Sequence, residues 1–127
     1  METKGITTLS SKYTVKETID RLQALLQQKE VTIYARINQQ AEANNAGYNL
    51  LPLEFLLFGN PKAGGAIMVE NPLASLDLPL KVIAWQDEAK QTNVAFNSGA
   101  YIQDRYALSD KVITPLNLEP LIMQALV

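Results

Sequence analysis

With no histidine and no cysteine among its 127 residues, the chain has only carboxylates, lysines, arginines, hydroxyls and backbone amides for its chemistry. A Ser-His-Asp triad, a thiolate nucleophile and a thiolate metal site are all excluded, and the usual general base and zinc ligand are missing. The stretch richest in special residue types is FGNPKAGGAIM, residues 58–68. Gly59, Asn60, Pro61 and Lys62 follow an apolar run, and Gly64 and Gly65 come next. In a phosphate-binding loop of the Walker type the lysine follows the last glycine and a Ser or Thr follows it to hold magnesium. Here Lys62 precedes both glycines and no hydroxyl follows. The dinucleotide pattern GxGxxG fails as well, since Gly59 opens the run G-N-P-K-A-G.

A more general chemistry survives. Asn60 is a good helix N-cap and Pro61 suits the first helical position. A helix start exposes unpaired N–H groups, and Lys62 adds a cation beside them, so a small anion can be held there. Arg36, on the polar face of an earlier strand, is the candidate to reach such an anion. The competing reading is that Asn60 and Pro61 only start a helix, that Gly64 and Gly65 make room for packing, and that Arg36 pairs with a carboxylate. A catalytic alternative needs converging carboxylates, with Glu42 or Glu70 beside Asp77 as candidates. Asp87-Glu88 has the composition of a metal corner, but acidic residues are common in turns between strands. No cofactor motif and no metal-ligand spacing occurs.

The elements that position these residues follow from periodicity. Residues 4–10 read as a first strand. Thr14 with Glu17 makes a capping box, and Val15, Ile19, Leu22, Leu25 and Leu26 recur at helical spacing, which predicts a helix over 14–29. In the strand Val31–Ile37 strict alternation sets Val31, Ile33, Ala35 and Ile37 on one face and Thr32, Tyr34 and Arg36 on the other. Gln39–Ala46 is a short helix closed by Gly47, and Leu53–Phe58 is a buried strand. One or two helical turns at Ala66–Glu70 and another at Pro72–Leu76 precede the strands Leu80–Gln86 and Thr92–Phe96, joined by a turn at Asp87–Lys90. Ser98 caps a helix through Leu108, in which Tyr101 and Tyr106 pack. The chain closes with a helix over Leu116–Val127 that Pro120 permits if Asn117 is its cap. The order β-α-β-β-β-β-α with short helical inserts indicates one α+β domain over 1–127, a mostly antiparallel sheet of about five strands backed by two main helices.

The net charge is −2 and the eleven basic residues are scattered, so no basic stripe for nucleic acid is present. The N-terminal METKGITTLSSKYT is polar, without the apolar core of a signal peptide. Leu50–Phe58 is too short for a membrane span and is interrupted by Pro52 and Glu54. The expectation is a cytoplasmic protein that meets neither membrane nor nucleic acid. Tyr34 and Trp85 fit either the core or a dimer contact.

Phe58-Gly59-Asn60-Pro61-Lys62-Ala63-Gly64 resembles the signature of domain-of-unknown-function family 302, a group of small bacterial and archaeal proteins. Tyr34-Ala35-Arg36-Ile37-Asn38-Gln39-Gln40-Ala41, Leu76-Asp77-Leu78-Pro79-Leu80 and Asp104-Arg105-Tyr106 are similar to further stretches of that family. The resemblance implies a TATA-binding-protein-like β-α-β₄-α fold and a homodimer, and no known activity; the fold carries no DNA-binding inference. Family members carry aspartate-histidine where this chain has Asn38-Gln39. That swap removes titration and most metal affinity, and it favours a binding or structural role over catalysis. The resulting expectation is a dimeric module for a small ligand or anion, using Asn60, Lys62, Gly64, Gly65 and Arg36, with a ligand-free interaction dimer, or an enzyme whose acid/base pair is replaced here by Asn38-Gln39, as the alternatives.

Overall fold

The computed structural model describes residues 4–127; residues 1–3, the start of the polar N-terminal stretch, lie outside the described residues. The chain runs β1 (Ile6–Ser11), α1 (Val15–Gln28), β2 (Thr32–Asn38), α2 (Gln39–Asn45), β3 (Leu53–Gly59), α3 (Pro61–Glu70), a 3-10 helix (Pro72–Asp77), β4 (Leu80–Gln86), β5 (Thr92–Asn97), α4 (Gly99–Tyr106), a second 3-10 helix (Thr114–Leu116) and α5 (Glu119–Leu126). The strands form one sheet of five, in the order β1-β5-β4-β3-β2, and every neighbouring pair is antiparallel. This is the α+β architecture expected from the element order.

One face of the sheet carries the core. Leu56 and Phe58 of β3, Val82 and Ala84 of β4, and Val94 and Phe96 of β5 meet Ile19, Leu22 and Leu26 of α1 and Ile122 of α5. The capping box that starts α1 is formed in both directions between Thr14 and Glu17. Because side chains alternate along a strand, the partners of the core residues point the other way. Leu53, Phe55 and Leu57 of β3, Ile83 and Trp85 of β4, and Ala95 of β5 therefore share the second face, in register with one another.

Strict alternation fails in β2. Ile33 lies opposite Phe58 but Ala35 lies opposite Leu57, so Tyr34 is an extra residue, a β-bulge. The bulge reverses the faces of everything after it. Ile33 packs against the core, whereas Ala35 and Ile37 join the second face and Arg36, opposite Leu56, turns toward α1. Two further expectations are corrected. α3 already starts at Pro61 and runs through both glycines, because the Asn60 cap and Pro61 outweigh their poor helix propensity. α5 starts at Glu119 with Leu118, not Asn117, at its N-cap position and no side-chain cap; Asn117 ends the preceding 3-10 helix instead.

Candidate functional site

The FGNPKAGG turn leaves β3 and enters α3. Asn60 Oδ1 accepts the N–H of Lys62 at 2.9 Å and of Ala63 at 3.3 Å. The N–H of Gly64 donates to the Asn60 carbonyl at 2.8 Å, and Pro61 has no N–H to offer. The first turn of α3 thus leaves no donor free for an anion. Lys62 is exposed. The turn is a capped helix start, and the anion cradle expected from the sequence is occupied by its own asparagine.

The glycines are the unexplained part. Neither Gly64 nor Gly65 has a positive φ, and a Cβ built on either meets no atom within 4 Å. They are required neither by backbone conformation nor by packing. Gly64 instead lines a cavity of about 280 Å³ with Asn60 and Pro61 of the turn, the bulge residue Tyr34, Met68 of α3 and the Leu78–Pro79 step. The walls are mostly apolar. Tyr34, 49% exposed, and Met68, 39% exposed, stand at its rim, and Gly59 lies close under the Tyr34 ring. Gly65 does not line it.

Arg36 does not line this cavity. The bulge sends its guanidinium to Asp20 of α1, 2.7 Å from Nη1, and to Glu54 of β3, 3.0 Å from Nε. Glu54 is buried, so the pair neutralises a carboxylate that would otherwise be costly inside the fold. The hydrogen bond from Arg36 holds the Asp20 carboxyl below its ordinary range, with Lys16 contributing. The alternative of carboxylate pairing is the one the geometry fits. Asn38 caps α2, accepting from Ala41 N at 2.9 Å, and Gln39 is the exposed first residue of that helix. At this position an aspartate and an asparagine do the same structural work.

Of the candidate carboxylates, Glu70 and Asp77 are each held by partners of their own. Glu70 accepts the backbone N–H of Ser109 at 2.8 Å as well as its hydroxyl, and these bonds lower its pKa. Asp77 Oδ2 receives Arg105 Nη1 at 2.9 Å and the Tyr106 hydroxyl at 2.5 Å; burial and then Asp77 push the Tyr106 hydroxyl up. Asp87 Oδ1 accepts the N–H groups of Ala89 and Gln91, closing the β4–β5 turn, and the Asn93 amide lowers its pKa. Among the described residues no three acidic side chains gather to hold a metal. Tyr106 is buried and Tyr101 packs on Gly5. The cavity beside the turn was not readable in the sequence, because Tyr34, Gly64 and Leu78–Pro79 come together only through the bulge and the β3–β4 pairing.

The family model described as a domain of unknown function, DUF302, matches residues 6–118. A crystal structure of an uncharacterised conserved DUF302 protein from Bacillus stearothermophilus superposes with a TM-score of 0.80 at 18% identity, covering 98% of this chain and 97% of that one. At that identity the likeness concerns the fold. Curated relatives from Brucella suis and Brucella abortus, both named fluoride-specific ion channel FluC 1, are 33% identical over 104 residues. The matched segment is 82% of this chain but 41% and 38% of those relatives, so the chain spans less than half of their length. Among the described residues no helix is long and apolar enough to cross a membrane.

Proposed function

The chain belongs to the DUF302 family, and from that premise we propose that it is a dimeric module binding a small, mainly apolar ligand in the cavity beside the FGNPKAGG turn. The carrying observation is Gly64. A glycine inside a helix costs about 1 kcal/mol relative to alanine, and here nothing in the fold requires it. Its missing side chain keeps one wall of the cavity open. The neighbouring aromatic, thioether and proline groups suit a flat apolar ligand. The helix start supplies no anion site, so any charge on that ligand sits outside this cavity.

The dimer half of the reading is supported by the second sheet face. Ala35, Ile37, Phe55, Leu57, Ile83 and Trp85 lie on it outside the core cluster, with Phe55 buried and the other five half-buried. A contiguous apolar face of this kind is a place for a second subunit. As for the Brucella relatives, we assign ion permeation there to the part of the chain outside the matched segment. The longest helix here is the 14-residue α1, against about 20 apolar residues for a span.

The test is thermal unfolding with indole as the probe. A rise in Tm that grows with indole concentration, kept in Gly65→Ala and lost in Gly64→Leu, supports the reading. No rise, or an equal rise in Gly64→Leu, overturns it.

A further inference from the structure

A second cavity, of about 320 Å³, shares only the Leu78–Pro79 wall with the first. Its lining is more polar and includes Asp77, Lys81 and Asn97. Lys81 begins the outward-facing alternation of β4. Its ammonium stands 4.5 Å from the centre of the Phe55 ring, and among the described residues the ion pairs are Lys16 and Arg36 with Asp20, Arg36 with Glu54, and Arg105 with Asp77. Lys81 has no carboxylate partner in that set. Asn97 lies on the neighbouring strand, one residue beyond the Val82–Phe96 pair. Asp77 is oriented by Arg105 and Tyr106, which both use Oδ2, and this leaves Oδ1 as an acceptor.

We propose that this cavity binds a small hydroxycarboxylate. The ligand's carboxylate pairs with the Lys81 ammonium and accepts from the Asn97 amide. Its hydroxyl donates to Asp77 Oδ1, and its carbon skeleton lies against Leu78, Pro79 and Ile102. Each polar group has the complementary role. A lysine and an amide in one lining favour an anion, whereas a carboxylate already holding two donors on one oxygen repels a second anion and accepts a hydroxyl. A metal is disfavoured, because Asp77 is the one carboxylate in the lining and Lys81 stands beside it. The volume is at the small end for ligand sites, about 300 Å³ and above, which restricts the ligand to a compact metabolite. The polar residues of the proposal, Asp77, Lys81 and Asn97, do not line the apolar cavity, and the two share only Leu78 and Pro79.

The experiment is a titration of the full chain with L-lactate, followed in ¹H–¹⁵N correlation spectra by the Asn97 side-chain amide. The expected result is a saturable shift of that amide. Affinity falls about tenfold or more in Lys81→Gln, is restored in Lys81→Arg, and is unchanged in Lys62→Gln. Propionate, which lacks the hydroxyl, binds about tenfold more weakly. A silent Asn97 amide, or an unchanged affinity in Lys81→Gln, overturns the proposal. Equal binding of propionate overturns the assignment of Asp77. Because Lys81 is exposed, its substitution leaves the fold intact, and failure here leaves the indole test of the first cavity standing.

Discussion

Replacing Gly64 by alanine should make the protein more stable and at the same time a poorer binder. The position lies inside α3, its φ is not positive, and a Cβ there meets no atom within 4 Å. Alanine therefore gains helix propensity and restricts the unfolded chain without a clash, together about 1 kcal/mol. An unfolding entropy of about 2.1 cal/mol/K per residue, applied to 127 residues, converts this into a rise in Tm of about 4 °C. Gly65→Ala should give a similar rise, since it too is free of contacts. The two differ in what the methyl group enters. At residue 64 it projects from a cavity wall, and at residue 65 it does not. Differential scanning calorimetry reads the first effect and indole titration the second. Both variants should melt higher, and only Gly64→Ala should lose affinity for indole. A lower Tm in Gly64→Ala would mean that its Cβ meets atoms, so that no open cavity exists there, and the reasoning would fail at its first step.

Arg36→Leu should destabilise by about 3 kcal/mol, because Glu54 is left buried without its partner. The double variant Arg36→Leu with Glu54→Leu should recover most of that loss, measured by urea denaturation. Asp20, Glu70 and Asp87 all have depressed carboxyl pKa values, caused first by hydrogen bonds from Arg36, Ser109 and Asn93. Each contributes stability that is complete above the ordinary values of 3.8 for Asp and 4.5 for Glu and is lost as pH falls through the lower folded values. Tm should accordingly be flat from about pH 7 to 5 and fall in more acid solution, with Asp20→Asn flattening the acid limb. On the second sheet face, Ile83→Lys should convert the proposed dimer into a folded monomer, read by light scattering with unchanged circular dichroism; a wild-type monomer would refute the dimer.

Much of the fold was readable because its signals were local. Thr14 and Glu17 mark the start of α1 within one turn, and Leu80–Gln86 reads as a strand from its composition, although Ile83 and Trp85, as apolar as Val82 and Ala84, leave its buried face undeclared. The roles of Asn60 and Pro61 as helix starters follow from their types alone. What was hidden depended on a single inserted residue. Tyr34 looks like an ordinary member of an alternating strand, yet as a bulge it turns Arg36 into the helix layer and sets its own ring over Gly59. No property of the residues 31–37 taken alone distinguishes the bulged from the regular register. The second cavity was hidden for a related reason. Asp77, Lys81 and Asn97 belong to three different elements, and only the strand pairing brings them together.

The central claim, that the turn is a cavity wall and not an anion cradle, is tested most directly by native mass spectrometry of freshly purified protein. The wild type, Lys62→Ala and Gly64→Leu are compared before and after unfolding. The account predicts a small-molecule adduct that is released on unfolding, persists in Lys62→Ala and is absent from Gly64→Leu. An adduct that vanishes with Lys62 and survives in Gly64→Leu would contradict it and return the site to the start of α3.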